Sequence, residues 1–503
     1  MNAFVVRGGR PKSIVQLVIL WVCFCILPIG CKPKTDAAAS SQDATAPPPP
    51  SLPKNSSFFA ELGRPLPVQG NPDQRPRILS RPGLSRREWA LATLLQGYRE
   101  TGRTNAAWDA KVERMFEAYA VYTRVNTTNW PALHSSLTAV FATGCDDPMV
   151  QYLRARYPES TVSDEEFATQ LLRAHTLMAD SRYHPFFKFF VGFRAAEAVK
   201  KLPKDKSLPN QHISRASADL QDLIRDTNAP ADEVFEASRN WINMSRKKDW
   251  IDYVMQDIDA LLEQNWRNTE LWYRLRGDVE IERAWGERGG GYASSVNEKG
   301  WEGFVVHLTR AEECLTKAWQ MSTNHADTAY LMMRVELGQG RGRARMETWF
   351  NRAMALSPNY YDAVSLMSFY LEPRWYGSEE DTLRFARSCV TSERWTGNVP
   401  LILQDVHHSL ATYYSLSNSP AYWQRAQVWK DVKSSYETFF SRQPDVIDFR
   451  HNYAMDAYNC GQYKVFLEQT KRFANGTNFS FFGGPEKFRA MVKKAATTPD
   501  VKL

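Results

Sequence analysis

The sequence predicts an all-α protein, an α-solenoid in which degenerate helical hairpins stack in series. Three observations carry this. Apolar residues recur at steps of three and four, as in Trp108, Val112, Met115, Tyr119 and Tyr122 and again in Trp250, Val254, Ile258 and Leu261, so each set marks one face of a helix. No comparable run alternates with period two, the mark of a half-buried strand. Pro131, Pro148, Pro158, Pro185, Pro203 and Pro230 fall between helical stretches and divide segment 85–263 into a succession of short helices. With 503 residues, 43% of them hydrophobic, the chain is longer than one core usually supports, and a body of several units is expected.

At the amino end, Arg7, Arg10 and Lys12 precede an uncharged apolar run from Ser13 to Ile29 that stops at Gly30 and Cys31. A basic start, an apolar stretch shorter than a comfortable span and a small residue at a cleavage point read as a signal peptide over residues 1–30. Leu27-Pro28-Ile29-Gly30-Cys31 resembles the bacterial lipobox, with Pro28 where leucine is usual, which implies a lipid on Cys31. An uncleaved amino-terminal anchor is the alternative. Either reading exports the body, since the basic residues stay inside. The expected address is the bacterial cell envelope, membrane-anchored on the periplasmic side or at the cell surface.

Residues 31–57 turn to Ala, Ser, Thr and Pro, including Pro47 to Pro50, with almost nothing apolar to bury. They read as a tether, part coil and part polyproline, with a reach on the order of 30 Å. Residues 58–84, with Pro65, Pro67, Pro72, Pro76 and Pro82, read as an extended segment. Removing the three basic residues of the leader lowers the formal net charge from +7 to +4, too little over such a length to be a footprint for nucleic acid. Cys145, Cys314, Cys389 and Cys460 are widely separated, without metal-ligand spacing, and stand as either disulfide partners or buried thiols.

Over residues 264–497 a longer cadence emerges. Met333 and Leu337 precede Met346, Phe350, Ala353 and Pro358; Trp272 and Leu275 precede Ala311, Leu315 and Ala318; Tyr436, Phe439 and Pro444 precede Tyr453, Ala454, Ala457, Gly461 and Tyr463. This pattern resembles tetratricopeptide repeats, with Arg276 and Arg334 in place of the usual small residue of the first helix. Such hairpins bury their apolar faces on one another, and the resulting superhelix offers a concave surface for a peptide or partner helix.

A narrower likeness lies in Ala284-Trp285, Arg288-Gly289, Gly291-Tyr292-Ala293, Val296, Gly300-Trp301-Glu302-Gly303-Phe304 and Glu372-Pro373-Arg374-Trp375-Tyr376-Gly377-Ser378, with Gly144-Cys145-Asp146-Asp147-Pro148 upstream. These segments are similar to the bacterial Domain of Unknown Function 4034 family, which implies a helical, repeat-like protein and assigns no activity. Gly289, Gly290 and Gly291 fall where a first helix should turn into a second, and Trp301 and Phe304 are expected to pin the inserted loop. Trp285, Tyr292, Trp301, Phe304, Arg374 and Trp375 form a candidate binding patch on one edge; the competing reading is that the aromatics only anchor loops.

Other chemistry is discounted. Gly338-Gln339-Gly340-Arg341-Gly342-Arg343 lies between two helical stretches, not between a strand and a helix, so it reads as a turn and not a phosphate cradle. Adjacent His407 and His408 diverge by about 100° on a helix and cannot share a metal. Asp147 before Pro148 reads as a helix N-cap. No Gly-x-Ser-x-Gly elbow occurs. No cofactor, metal or catalytic residue is assigned, and the expected function is a non-enzymatic scaffold that binds a protein or peptide partner. Two rivals stand beside it: a carbohydrate-binding lipoprotein, favoured by aromatics clustered outward, and a peptidoglycan-cleaving enzyme with an α-superhelical body.

Overall fold

The computed structural model describes residues 85–503 apart from 125–129, 159–161, 203–209, 245–247, 292, 418, 445, 447–448, 474–476 and 478. The leader, Cys31, the tether, the 58–84 segment and Tyr292 therefore lie outside the described residues. Among the described residues the fold is all-helical and holds no strand. The first nine helices are α1 (Arg86–Thr101), α2 (Asp109–Arg124), α3 (Trp130–Phe141), α4 (Pro148–Arg156), α5 (Asp164–Ala179), α6 (Pro185–Val199), α7 (Asn210–Arg225), α8 (Ala231–Ile242) and α9 (Lys248–Trp266). They continue as α10 (Glu270–Arg288), α11 (Glu298–Met321), α12 (Ala326–Gln339), α13 (Arg343–Leu356), α14 (Tyr361–Tyr370), α15 (Glu379–Thr391) and α16 (Ile402–Tyr413). The last five are α17 (Pro420–Trp423), α18 (Ala426–Arg442), α19 (Arg450–Asn459), α20 (Tyr463–Arg472) and α21 (Pro485–Thr497).

Local chemistry sets many of the ends. Ser85 and Glu88 close a capping box on α1: the Glu88 amide donates to Ser85 Oγ and the Ser85 amide donates to Glu88 Oε2 at 2.8 Å. Asp147 caps α4, accepting from the amides of Met149 and Val150, with Pro148 at the first helical position. Pro185 opens α6 in the same way and Pro230 is the N-cap of α8.

Consecutive helices pack on one another, and α6, α8, α10, α12 and α14 each also pack on the next but one, in a helical-repeat-like arrangement. One buried apolar cluster runs from Ala90 in α1 to Cys460 beyond α19, and a second joins α19, α20 and α21 through Ala457, Phe466 and Met491. Most of the hairpin positions named from the sequence are inside: Met333, Met346 and Ala353 are fully buried, as are Ala311, Leu315, Ala454 and Ala457, whereas Pro358 and Pro444 are exposed and Trp272 is half-buried. Packing of α10 on α11 needs Gly277. A methyl group there would lie 2.5 Å from Leu315 Cγ.

The even-numbered row is buried on nearly every side. In α12 all ten residues from Thr328 to Leu337 are inside. Such helices carry buried ions, and those ions pair between neighbours in the row. Arg274 of α10, wholly buried, donates to Asp232 of α8 at 2.8 Å and lies over the Phe235 ring at 4.0 Å. Arg334 of α12 meets Asp278 and Glu282 of α10 at 3.2 and 2.8 Å, while Arg239 of α8 reaches Asp278 from the other side at 3.2 Å. A buried charge is tolerated only when it is paired, so these bonds also fix the register of one helix on the next. No helix among the described residues is long and apolar enough to cross a membrane.

Candidate functional site

Helix α10 shows two charged stripes. The inner one, Arg274, Asp278 and Glu282, is sealed as above. The other, Trp272, Arg276, Glu280 and Arg283, recurs at steps of three and four and faces α9 across a groove of about 840 Å³. Asp252, Gln256, Asp259 and Glu263 supply the α9 side, at steps of three and four, and Met255, Ala260 and Val279 complete the lining. This acidic stripe stands beside the apolar stripe of α9, in which Val254 and Ile258 are fully buried.

Every cation of the groove is shared. Arg276 donates to Asp259 at 2.9 Å, lies 3.5 Å from Glu263 and stacks over the Trp272 ring at 4.3 Å. The indole N–H of Trp272 donates to Glu263 at 3.1 Å. Arg283 bridges Asp252 at 3.4 Å and Glu280 at 3.1 Å, and His307 Nδ1 of α11 lies 2.7 Å from the other Glu280 oxygen. Four carboxylates face two guanidinium groups, and the side chains of Asp252 and Asp259 stay 40% and 48% exposed. Chemically this is a surface for charge-assisted hydrogen bonds. The nearby Cys314 thiol is pushed up by burial, away from the thiolate a nucleophile needs.

The aromatic residues singled out in the sequence do come together, apart from Tyr292, which lies outside the described residues. Helix α10 continues through Trp285 to Arg288, and α11 begins at Glu298 under an Asn297 cap. The interruption is thus confined to 289–297, with Gly289 at φ 73°, and Trp301 and Phe304 sit in the first two turns of α11, not in a loop. Trp285 packs edge-on against Phe304 at 5.1 Å and Trp375 at 6.3 Å, and Trp301 meets Phe304 at 5.7 Å. The Arg288 guanidinium lies over both Trp285 and Trp301. On the 371–378 turn, Arg374 donates to Glu372 at 2.5 Å and to Ser409 of α16 at 3.1 Å, while Trp375 packs on Phe369 at 5.1 Å. Gly377 permits that turn: a Cβ there would stand 2.3 Å from the Leu371 carbonyl oxygen. Phe304 is buried and the three tryptophans are half-buried.

The remaining motifs resolve as follows. Gly340, at φ 62°, ends α12 and Gly342 precedes α13, so the glycine-rich stretch is a turn. Its arginines engage carboxylates: Arg341 reaches Glu312 at 2.8 Å, and Arg345 reaches Glu336 and Glu312 at 2.6 and 2.9 Å. His407 and His408 point to different helices, His407 to Asp431 and Tyr422, His408 to Asp456. Burial raises the Asp431 carboxyl, but hydrogen bonds from His407 and Arg387 outweigh it and hold the group at about 2. Cys145, Cys389 and Cys460 are buried free thiols, and Cys314 is a half-buried one.

Asp252, Asp259 and Glu263 escaped the sequence reading. The signal was present: they recur at steps of seven and four on the flank of the apolar stripe of α9, opposite the Arg276 that departs from the repeat pattern. No family model and no curated protein matches this chain.

Proposed function

We propose that the protein is a non-enzymatic scaffold of the bacterial cell envelope, a tetratricopeptide-like α-solenoid of degenerate hairpins that seats a protein or peptide partner. In this reading it is exported, anchored through a lipid on Cys31 and displayed on its tether, and it belongs with the Domain of Unknown Function 4034 proteins it resembles. The observation that supports the role is the α9–α10 groove. Its ion pairs are open at one side, whereas the same chemistry on the inner stripe of α10 is closed off. The Trp285, Trp301, Phe304 and Trp375 cluster, with Arg374 in the adjoining turn, anchors the connections on the helices. Consistent with partner binding over sugar stacking, no tryptophan among the described residues is exposed, and the Trp272 face is already covered by Arg276.

A carbohydrate-binding role is favoured by one feature. Tyr413 and Tyr414 at the end of α16 are 44% and 42% exposed and lie 5.0 Å apart, edge to face. The deciding experiment is cross-linking and affinity capture from membranes, comparing the native protein with Cys31→Ser. A defined envelope complex lost with the anchor is expected; absence of any protein partner from both forms, with retention on glycan, rejects the scaffold.

A further inference from the structure

We propose that the outer face of α21 is a docking surface for anionic lipid headgroups, one that holds the carboxyl-terminal end of the helical array against the membrane. The inference goes beyond the scaffold role and rests on the tethered reading. Charge is distributed unevenly along the chain. Residues 463–503 hold eight basic and three acidic residues, a net of +5, whereas residues 31–462 hold 52 and 53, a net of −1. The positive excess of the body therefore resides in α20, α21 and the segments around them.

Helix geometry turns that excess outward. Met491 and Ala495 face the core shared with α19 and α20, and Phe488 and Val492 pack beside them. At about 100° per residue, Lys487, Arg489, Lys493 and Lys494 then fall on the opposite arc, roughly 160° wide. All four are exposed, and among the described residues none of them is in an ion pair, whereas every cation of the α9–α10 groove is shared with a carboxylate. Lys494 lies over the Tyr458 and Tyr463 rings at 5.6 and 5.7 Å, contacts that add no counter-charge. Glu486 is the one carboxylate of α21 and leaves that arc at +3. Asp500 is engaged by the backbone, its Oδ1 accepting from the Lys464 amide at 3.0 Å. Phe479, 40% exposed, packs on Phe488 at 5.6 Å and puts an apolar group beside the start of α21.

The form of the surface selects the occupant. A small anion needs donors that converge in a cleft, and these side chains diverge from a convex helix. A fluid anionic bilayer needs no fixed spacing, and each Lys or Arg brought to it raises partition about fivefold. The exposed Phe479 ring suits the boundary between headgroups and acyl chains. A tether with a reach on the order of 30 Å keeps the body near the membrane, so a contact too weak to hold a free protein is sufficient.

The test is co-sedimentation with lipid vesicles of the chain from residue 31 onwards carrying Cys31→Ser, which retains every described residue and removes the lipid. Phosphatidylglycerol vesicles are compared with vesicles of phosphatidylcholine alone. Salt-sensitive binding to the first and not to the second is expected. Lys487→Gln/Arg489→Gln/Lys493→Gln should weaken it about a hundredfold. Arg87→Gln/Lys111→Gln/Arg173→Gln, the same change in net charge at exposed positions elsewhere, should leave it within about twofold. Melting curves matching that of the parent confirm that both variants fold. Absence of vesicle binding, equal binding to phosphatidylcholine or an equal loss in the two variants overturns the assignment. So does binding to polyglutamate in place of vesicles, which would make the surface a site for an acidic protein. The scaffold reading keeps its own readout: an envelope partner captured equally well by a triple variant that fails on vesicles leaves the scaffold standing.

Discussion

The two charged stripes of α10 use the same residue types for different ends. On the inner stripe, Arg274, Asp278 and Glu282, themselves buried, meet Asp232, Arg239 and Arg334. On the outer stripe, Arg276, Glu280 and Arg283 meet carboxylates along an open groove. In the interior, breaking a pair leaves an uncompensated charge that costs several kcal/mol. At the surface, water takes the place of the lost partner and the pair adds little to stability. Burial, not residue type, thus separates an ion pair that holds helices together from one available to a partner.

The largest effect is expected on the inner stripe. Arg334→Ala removes the partner of Glu282, leaves Asp278 to Arg239, and should lower unfolding free energy by about 3–5 kcal/mol in urea denaturation. A loss below about 1 kcal/mol would place water in that interface and erase the contrast between the stripes.

Next is the aromatic joint at the far end of α10. Trp375→Ala removes contacts to Trp285 and Phe369 and is expected to cost about 2–4 kcal/mol. A variant as stable as the parent that no longer captures an envelope partner would instead make this cluster the recognition surface.

A buried pair without opposite charge sharpens the comparison. His175 of α5 lies 3.0 Å, Nδ1 to Nδ1, from His212 of α7. Burial pushes His175 down to about 3, with like-charge repulsion from His212 and Arg215 adding to it. The unfolded chain therefore takes up the proton first, so the stability His175 contributes is complete above about pH 6.5 and is lost as pH falls towards 3. Burial raises Asp147 to about 6 and Asp405 to about 7, which act in the opposite sense, so the difference between variant and parent isolates the histidine. The destabilisation caused by His175→Gln should shrink by about 2 kcal/mol between pH 7.5 and pH 5, measured by urea denaturation at each pH. A constant difference would mean that His175 is already protonated in the fold.

The smallest effect belongs to the groove. Arg276→Ala or Asp252→Asn should change stability by no more than about 1 kcal/mol in thermal melts, because each pair is partly solvated.

Much of the fold was legible because helices announce themselves locally. The spacing of Trp108, Val112 and Met115, the cap at Asp147 and the Gly340 turn depend on neighbours in sequence, and all three stand as read. The divergence of His407 and His408 followed from helix geometry alone. The groove was not legible for a matching reason. The stripe of Trp250, Val254 and Ile258 identifies the inward side of α9, but whether Asp252 and Asp259 on its flank face water or another helix depends on the placement of α10. The inserted loop that Gly289 to Gly291 open is shorter than expected, because Gly300 and Gly303 lie inside α11, where close packing accounts for both. A Cβ on either would approach Glu287 within 3 Å, at its carbonyl oxygen or its side chain.

The most direct measurement is a paired one, urea denaturation and capture of an envelope partner on Asp252→Asn/Asp259→Asn beside Asp278→Asn. The groove variant should unfold within about 1 kcal/mol of the parent and lose the captured partner, while Asp278→Asn should be destabilised by about 3 kcal/mol or more. A groove variant that unfolds easily, or that captures the partner as well as the parent, would contradict the division between sealed and open ions.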